Sequence, residues 1–121
     1  MSNKFVEGYI ECACWAESAN TTDSDDRSIG DVAELAPETF AAMEKDATAF
    51  YAANAAMISK ANEVGRDDAR LGHDFWLSRN GHGTGFWDRD LGDIGEALHA
   101  AAKAAGGRDL YIGDDGMIYQ S

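Results

Sequence analysis

Hydrophobic residues recur at helical spacing in two stretches of the first half of the chain. In residues 4–17 the apolar positions share one side of a helix, and they are Phe5, Val6, Tyr9, Ile10 and Ala13. A longer helix is predicted from Pro37, which suits the first position of a helix, to about Asn62–Val64. Its stripe of positions three or four residues apart consists of Phe40, Met43, Ala47, Phe50, Asn54, Met57, Ala61 and Val64. Such a stripe is typical of an internal core helix, and a homodimer seam is the alternative.

Two shorter helices are predicted in the second half. Gly65 ends the long helix, and the next helix runs from about Asp67 to Arg79, where Asn80 and Gly81 stop it. Residues 91–105 again show helical spacing of apolar positions, followed by two glycines.

The tail differs in kind from the rest of the chain. Residues 109–120 alternate polar and apolar positions around the turn Gly113–Gly116, which predicts a β-hairpin. A lone hairpin is marginal in water, so it should pack on the helices or pair with a third strand, for which Gly85–Trp87 is the candidate.

These elements predict a helix-rich α+β fold, with about four helices and a C-terminal β-hairpin packed on them. A chain of 121 residues is expected to form a single domain, residues 1–121, with a real core. The 45% apolar content favours a folded globule that requires neither a metal nor a disulfide, and we expect no cofactor.

The sequence predicts a soluble protein of the cytoplasm. No apolar run approaches the roughly 20 residues that span a bilayer. The N-terminal segment carries acidic residues within its apolar pattern, unlike a signal peptide.

Charge narrows the classes of partner. Twenty-two acidic residues against ten basic ones give a net charge of −12, which disfavours direct binding to nucleic acid or to an anionic membrane. The excess is uneven, because residues 1–36 hold eight acids and two bases whereas residues 66–91 hold five acids and four arginines. A protein partner with a basic surface is therefore expected.

Residues 18–36 are rich in Asn, Thr, Ser and Asp, which predicts a long acidic loop with at most a short turn near Val32–Leu35. Asp23, Asp25 and Glu34 fall on positions 1, 3 and 12 of a calcium-binding loop. The ligand position 5 is an arginine and the glycine position 6 is a serine, so a solvated acidic loop is the better interpretation.

Cys12 and Cys14 are the only cysteines. In a helix their side chains diverge by about 200°, so they cannot form a disulfide with each other. A metal or redox pair would need further ligands, and two small core residues are the simpler interpretation.

Residues 73–90 concentrate the side chains that could carry chemistry, including two of the three histidines and two of the three tryptophans. Alternating glycines make residues 81–85 a loop. A metal site here would draw on His73, Asp74, His82, Asp88 and Asp90. Their spacing matches no helical metal pattern, and a histidine bonded to a nearby carboxylate or carbonyl is more typical.

Other catalytic patterns are weaker. No serine is flanked by glycines two residues away on each side, as a nucleophile elbow requires. Residues 81–85 lack the spacing of a phosphate-binding loop. Among 22 acids some facing carboxylate pair would arise by chance, so a glycosidase is not indicated.

The phrase Phe-Trp followed by arginine occurs twice, at Phe75–Arg79 and at Phe86–Arg89. We expect the two copies to fold back on each other, with the aromatic rings buried and the arginines paired with Asp74, Asp88 or Asp90. The alternative is that Trp76 and Trp87 lie exposed in a protein interface. The residues assigned to this structural motif are His73, Asp74, Arg79, Gly81, His82, Gly83, Gly85, Asp88 and Arg89.

The segment HDFWLSRNGHGTGFWDRDLG, with the later LYIGDDGMIY, resembles a segment of small acidic phage-encoded proteins of unassigned function. The resemblance covers residues 73–119, and Asp90 departs from the glycine more usual in that family. It implies a phage origin and supplies no catalytic residues. Small acidic phage proteins often bind and disable host machinery.

The first hypothesis is therefore a non-enzymatic phage-type protein that binds a host or phage protein through an acidic surface, and in its sharper form this surface mimics nucleic acid, as in a counter-defence inhibitor. Its candidate interface residues are Glu7, Glu11, Glu17, Asp23, Asp25, Asp26, Asp31, Glu34, Trp76 and Trp87. The alternatives are a small metal-dependent enzyme using His73, His82 and Asp88, and a homo-oligomeric structural or assembly component built on the long helix.

Overall fold

A computed structural model describes residues 3–17, 28–82, 84–86 and 91–121 of the chain. The described residues form six helices and one two-stranded antiparallel sheet, so the predicted helix-rich α+β class is confirmed. The elements in chain order are α1 Asn3–Ala16, α2 Ile29–Val32, α3 Pro37–Ala53, α4 Ala55–Glu63, α5 Asp68–Arg79, α6 Asp93–Ala104, β1 Leu110–Ile112 and β2 Ile118–Gln120.

Helices α1 and α5 pack closely, backbone against backbone. Gly8 of α1 sits against the backbone of Ala69, and Gly72 of α5 sits against the backbone of Phe5. A Cβ atom at either glycine would collide with the facing carbonyl oxygen. The contact therefore depends on two residues that have no side chain, one from each helix.

Aromatic rings form the centre of the core around α5. Phe75 stacks on Phe50 of α3 with ring centroids 4.0 Å apart, and Phe50 also stacks on Phe86 at 5.9 Å. From α1, Tyr9 stacks on Phe75 at 4.9 Å and meets Trp76 edge to face at 5.5 Å. The final six residues of α5 are all buried, so α5 is the central helix of the fold.

The long predicted helix is interrupted at Asn54, which separates α3 from α4. The Asn54 side chain donates a 3.0 Å hydrogen bond to the carbonyl oxygen of Phe50, and its backbone has φ −120° and ψ 21°. An asparagine amide competes with the helical backbone in this way. Most of the stripe faces inward, with Met43, Ala47 and Ala61 buried, as expected of an internal core helix.

The predicted hairpin is present, and Tyr111 of β1 pairs with Tyr119 of β2. The expectation that residues 85–87 add a third strand is wrong for Gly85 and Phe86, which lie outside any strand, and Trp87 lies outside the described residues. The hairpin pairs instead with Leu35 through a parallel bridge to Ile118. The Ile118 amide donates to the carbonyl oxygen of Glu34 at 2.8 Å.

The predicted loop 18–36 is described only from residue 28 onward. That part contains the short helix α2, so it is not all loop. Ile29 of α2 is buried, and Gly30 fits against the Cβ atom of Cys14 on α1. Tertiary contact with α1 therefore fixes this segment. Helix α2 and the interruption at Asn54 each add one helix to the predicted number of about four, which gives six.

Candidate protein-binding surface

Helix α1 carries an exposed stripe beside its contact with α5, since Glu11 of the stripe lies 3.3 Å from His73. Glu7, Glu11 and Trp15 follow one another at four-residue spacing and are all exposed. The Trp15 side chain is 68% exposed, the largest exposed fraction among the described large hydrophobic residues. An exposed tryptophan beside acidic residues indicates a protein interface, because tryptophan is a dominant residue of such interfaces.

The segment that contains α2 carries two further exposed carboxylates near the C-terminal end of α1. The Ser28 hydroxyl donates a 2.6 Å hydrogen bond to the carbonyl oxygen of Trp15, and the Ile29 amide donates to the carbonyl oxygen of Glu17 at 2.8 Å. These bonds hold α2 at the C-terminal end of α1, and Asp31 and Glu34 on this segment are exposed. We call the five exposed residues the acidic face: Glu7, Glu11, Trp15, Asp31 and Glu34.

Glu17 was predicted as an interface residue, and the structure gives it a different position. Its side chain is 19% exposed. Its Oε2 atom accepts a 3.1 Å hydrogen bond from the indole N–H of Trp76 and lies 2.8 Å from Nε2 of His82. Glu17 therefore joins the end of α1 to the end of α5 and to the loop after it.

Trp76 was also predicted as a candidate interface residue, and that prediction is wrong. Its side chain is fully buried, packed against Tyr9 and hydrogen-bonded to Glu17. Of the two described tryptophans the exposed one is Trp15, which is not among the predicted interface residues. Its four-residue spacing from Glu7 and Glu11 was the available signal, since it places Trp15 on the polar side of α1.

His73 and His82 contact different carboxylates, one on α1 and one directly after it. Nε2 of His73 lies 3.3 Å from Oε1 of Glu11, whereas His82 is paired with Glu17. The prediction of histidines bonded to nearby carboxylates is confirmed. Among the residues that the structure describes, no group of three or more His, Cys, Asp or Glu side chains could hold a metal ion, and Asp88 lies outside them.

The expected pairing of Arg79 with Asp74 is wrong. Asp74 is fully buried and accepts two hydrogen bonds from Arg66, at 3.0 and 3.1 Å. Arg79 donates instead to Asp46 at 3.3 Å and to the Tyr9 hydroxyl at 2.9 Å. Burial raises the pKa of Tyr9 to about 12, against the opposing influence of the Arg79 guanidinium. Arginine reaches several acceptors at once because its planar fork carries five N–H groups.

The loop after α5 folds back onto that helix, as expected for the repeated Phe-Trp phrase. Gly81 has a positive φ of 67°, and Gly85, with φ 143°, lies so close to Ser78 that a Cβ atom would collide with its hydroxyl. The Phe86 amide then donates to the Ser78 Oγ atom at 3.1 Å. Phe75, Trp76 and Phe86 are buried together, which confirms this part of the predicted motif.

Ser78 also lies 3.0 Å from Nδ1 of His99 on α6, a contact between residues 21 positions apart that the sequence analysis missed. Ser78 is fully buried. Its hydroxyl connects α5, the folded-back segment and α6, and it does not open onto the surface.

Several predicted residues lie outside the described ranges: Asp23, Asp25, Asp26, Gly83, Trp87, Asp88, Arg89 and Asp90. Most of the calcium-loop pattern falls there as well. Cys12 is buried and Cys14 is half-buried, and burial raises the pKa of the Cys14 thiol.

Comparisons with known proteins assign no family to the chain: no family model, no curated protein and no solved structure matches it. Within the described ranges, every helix is too short or too polar to cross a membrane.

Proposed function

We propose that this protein is a non-enzymatic, phage-type binding protein that engages a basic protein partner through its acidic face. The observation that carries the proposal is the exposed Trp15 side chain, set in line with Glu7 and Glu11 on one side of α1. Tryptophan supplies a large apolar anchor for an interface, and the carboxylates around it select a partner of opposite charge.

The charge of the whole chain supports a basic partner. A net charge of −12 attracts positively charged surfaces from a distance and speeds their encounter. Lys4 lies one turn before Glu7, and Arg70 lies beside Glu11, so these two bases moderate the charge in the N-terminal part of the stripe. Asp31 and Glu34 add exposed negative charge on the segment held at the C-terminal end of α1. The contact is therefore expected to centre on Trp15 and the C-terminal half of α1.

The finer form of the proposal is that the acidic face occupies a basic groove that normally holds nucleic acid. The resemblance of residues 73–119 to phage proteins supports this form, since a phage gains from occupying such a groove in a host protein. DNA or RNA would compete directly with the acidic face for the groove of such a partner.

Site-specific photo-crosslinking in bacterial cells tests the proposal. A benzoylphenylalanine replaces Trp15 in one variant and Val64 in a matched variant, because Val64 is 65% exposed, lies at the end of α4 and is not part of the acidic face. We expect protein adducts from position 15 that are absent from position 64, with the crosslinked peptide in a segment rich in lysine and arginine.

Salt and competition measurements then separate the two forms. Adduct formation with the purified partner should fall steeply near 1 M salt, where the Debye length is only about 3 Å. Added DNA or RNA should suppress the adduct if the face mimics nucleic acid, and should leave it unchanged if the partner's basic surface has another role. Equal adducts from positions 15 and 64, or an acidic crosslinked segment, would refute the proposal altogether.

A further inference from the structure

A groove of about 480 Å³ runs between α3 and α6. Phe50 and Phe75 lie at its floor. Its walls are formed by small side chains on both helices, namely Ala49, Ala53, Ala101 and Ala104. The volume falls within the range of about 300–1,000 Å³ typical of small-molecule sites, and the alanines keep the space between the helices open.

One end of the groove carries three charged side chains. Arg79 is 97% buried, since only 3% of its side chain is exposed, and its guanidinium carbon lies 5.0 Å from the centre of the Phe75 ring. It donates to Asp46, to the Tyr9 hydroxyl and to the carbonyl oxygens of Ala105 and Gly106. Four of its five N–H groups thus have partners among the described residues, which leaves one donor.

Arg108 completes this end of the groove. Its Nε atom lies 3.6 Å from Oδ2 of Asp46, and its backbone amide donates to Asn80 at 2.8 Å, which fixes its position. Two guanidinium groups and one carboxylate give this end a local charge of +1, in a protein whose net charge is −12. At physiological salt, charges beyond about 8 Å are largely screened, so an anion in the groove responds mainly to this local excess.

We propose that the groove binds a small amphipathic carboxylate, with its apolar body against Phe50 and Phe75 and its carboxylate at Arg108 and the remaining Arg79 donor. Guanidinium groups hold carboxylates in charge-assisted hydrogen bonds, and aromatic rings accept the flat face of an apolar body. None of the lining residues belongs to the acidic face, so this site is independent of the proposed protein partner.

The test uses 3-phenylpropionate as the probe, titrated into the full chain and followed by shifts of backbone amide resonances. Two analogues, the neutral 3-phenylpropanol and the cationic 3-phenylpropylamine, share its apolar body and lack its negative charge. We expect shifts at the groove alanines on α3 and α6 with the carboxylate, and markedly weaker binding of both analogues.

Three variants locate the site. Arg108→Gln should weaken binding of the carboxylate roughly tenfold. Arg108→Lys should weaken it less, because lysine keeps the positive charge but lacks the paired N–H groups of the guanidinium. Ala53→Leu should block the groove. The control is Ala52→Leu, an exposed neighbour that does not line the groove, and it should bind like the unmodified chain.

Equal affinity for the carboxylate and the alcohol would overturn the proposal, and would indicate instead an apolar surface that receives a segment of protein. Absence of saturable shifts with 3-phenylpropionate, or an Arg108→Gln variant that binds unchanged, would also overturn it. Thermal unfolding of each variant shows that a loss of binding is not a loss of fold.

Discussion

Glu17 joins three parts of the molecule through a single carboxylate oxygen, since Oε2 contacts both Trp76 and His82. Replacing Glu17 with alanine leaves the indole N–H of a fully buried tryptophan without its acceptor. An unsatisfied buried donor costs about 1–3 kcal/mol, so Glu17→Ala should lower the free energy of unfolding by that amount. Urea unfolding at neutral pH measures it.

The matched control for that measurement is Glu11→Ala. Glu11 also contacts a histidine, His73, but the Glu11 side chain is 76% exposed. Exposed pairs contribute at most about 1 kcal/mol, and usually less. Similar losses of stability in the two variants would contradict the role given to Glu17, whereas Glu17→Gln, which keeps a side-chain carbonyl acceptor, should fall between them.

Tyr119 and Asp115 give the hairpin a defined dependence on pH. Their side chains share a 2.6 Å hydrogen bond that raises the pKa of Tyr119 to about 12 and lowers the pKa of Asp115. The tyrosine contribution to stability is present below its unfolded pKa of about 10 and is lost as the pH rises towards 12. The aspartate contribution is present above its unfolded pKa of about 4 and is lost as the pH falls below that value.

Phenolate absorbance across alkaline pH should therefore show late ionisation of Tyr119 and of buried Tyr9, both near pH 12. Asp115→Asn should move one of these two transitions to lower pH and leave the other in place, because Tyr9 is held by burial. An unchanged titration curve in the Asp115→Asn variant would show that the hydrogen bond is not formed in solution.

At the scale of the elements, the packing of α1 on α5 reverses an ordinary rule of helix stability. Alanine is favoured over glycine inside a helix by about 1 kcal/mol. Gly8→Ala and Gly72→Ala place a methyl group against the facing backbone, which can relax only by separating the helices. Overpacking of this kind costs about 1–3 kcal/mol, so each variant should be destabilised. Chemical unfolding gives the sign directly, and a more stable variant would disprove the close contact.

The same contact shows what the sequence could and could not reveal. Apolar spacing predicted α1 and α6 because each buries one face, and the residues at its two ends predicted α5. Turn chemistry predicted the hairpin around Gly116, whose φ is 82°. The interruption at Asn54 depends on one side-chain hydrogen bond to the backbone. The spacing of apolar residues does not predict such a bond. Helix α2 depends on contact with α1, so its local sequence indicated little more than a turn.

The misassigned tryptophan has a related cause. A helix at the surface divides its residues between a buried and an exposed side, and on that basis Trp76 could have been exposed beside the buried Phe75. Helix α5 is instead surrounded by α1, α3, α6 and the folded-back loop, so consecutive residues are buried. Trp15 occupies the outer side of α1, where the ordinary amphipathic rule holds.

At the scale of the whole molecule, the excess of negative charge should weaken the fold that carries it. A net charge of −12 on 121 residues produces repulsion between exposed carboxylates, which salt screens. The internal ion pairs of Arg66 with Asp74 and of Arg79 with Asp46 are partly or wholly shielded from solvent and lose little. Raising sodium chloride from low concentration to about 0.5 M should therefore raise the Tm by several degrees.

Salt should act in opposite directions on the two effects of the negative charge. It should stabilise the fold by screening repulsion between carboxylates, and it should weaken the proposed contact between the acidic face and a basic partner. Glu7→Gln combined with Glu11→Gln removes two charges from the acidic face and should reproduce both effects in low salt: a higher Tm and weaker partner binding. Thermal unfolding followed by circular dichroism gives the first quantity, and crosslinking yield from position 15 gives the second. A Tm that falls with added salt would mean that surface ion pairs outweigh the repulsion, and the excess charge would then have to be explained by the fold and not by a partner.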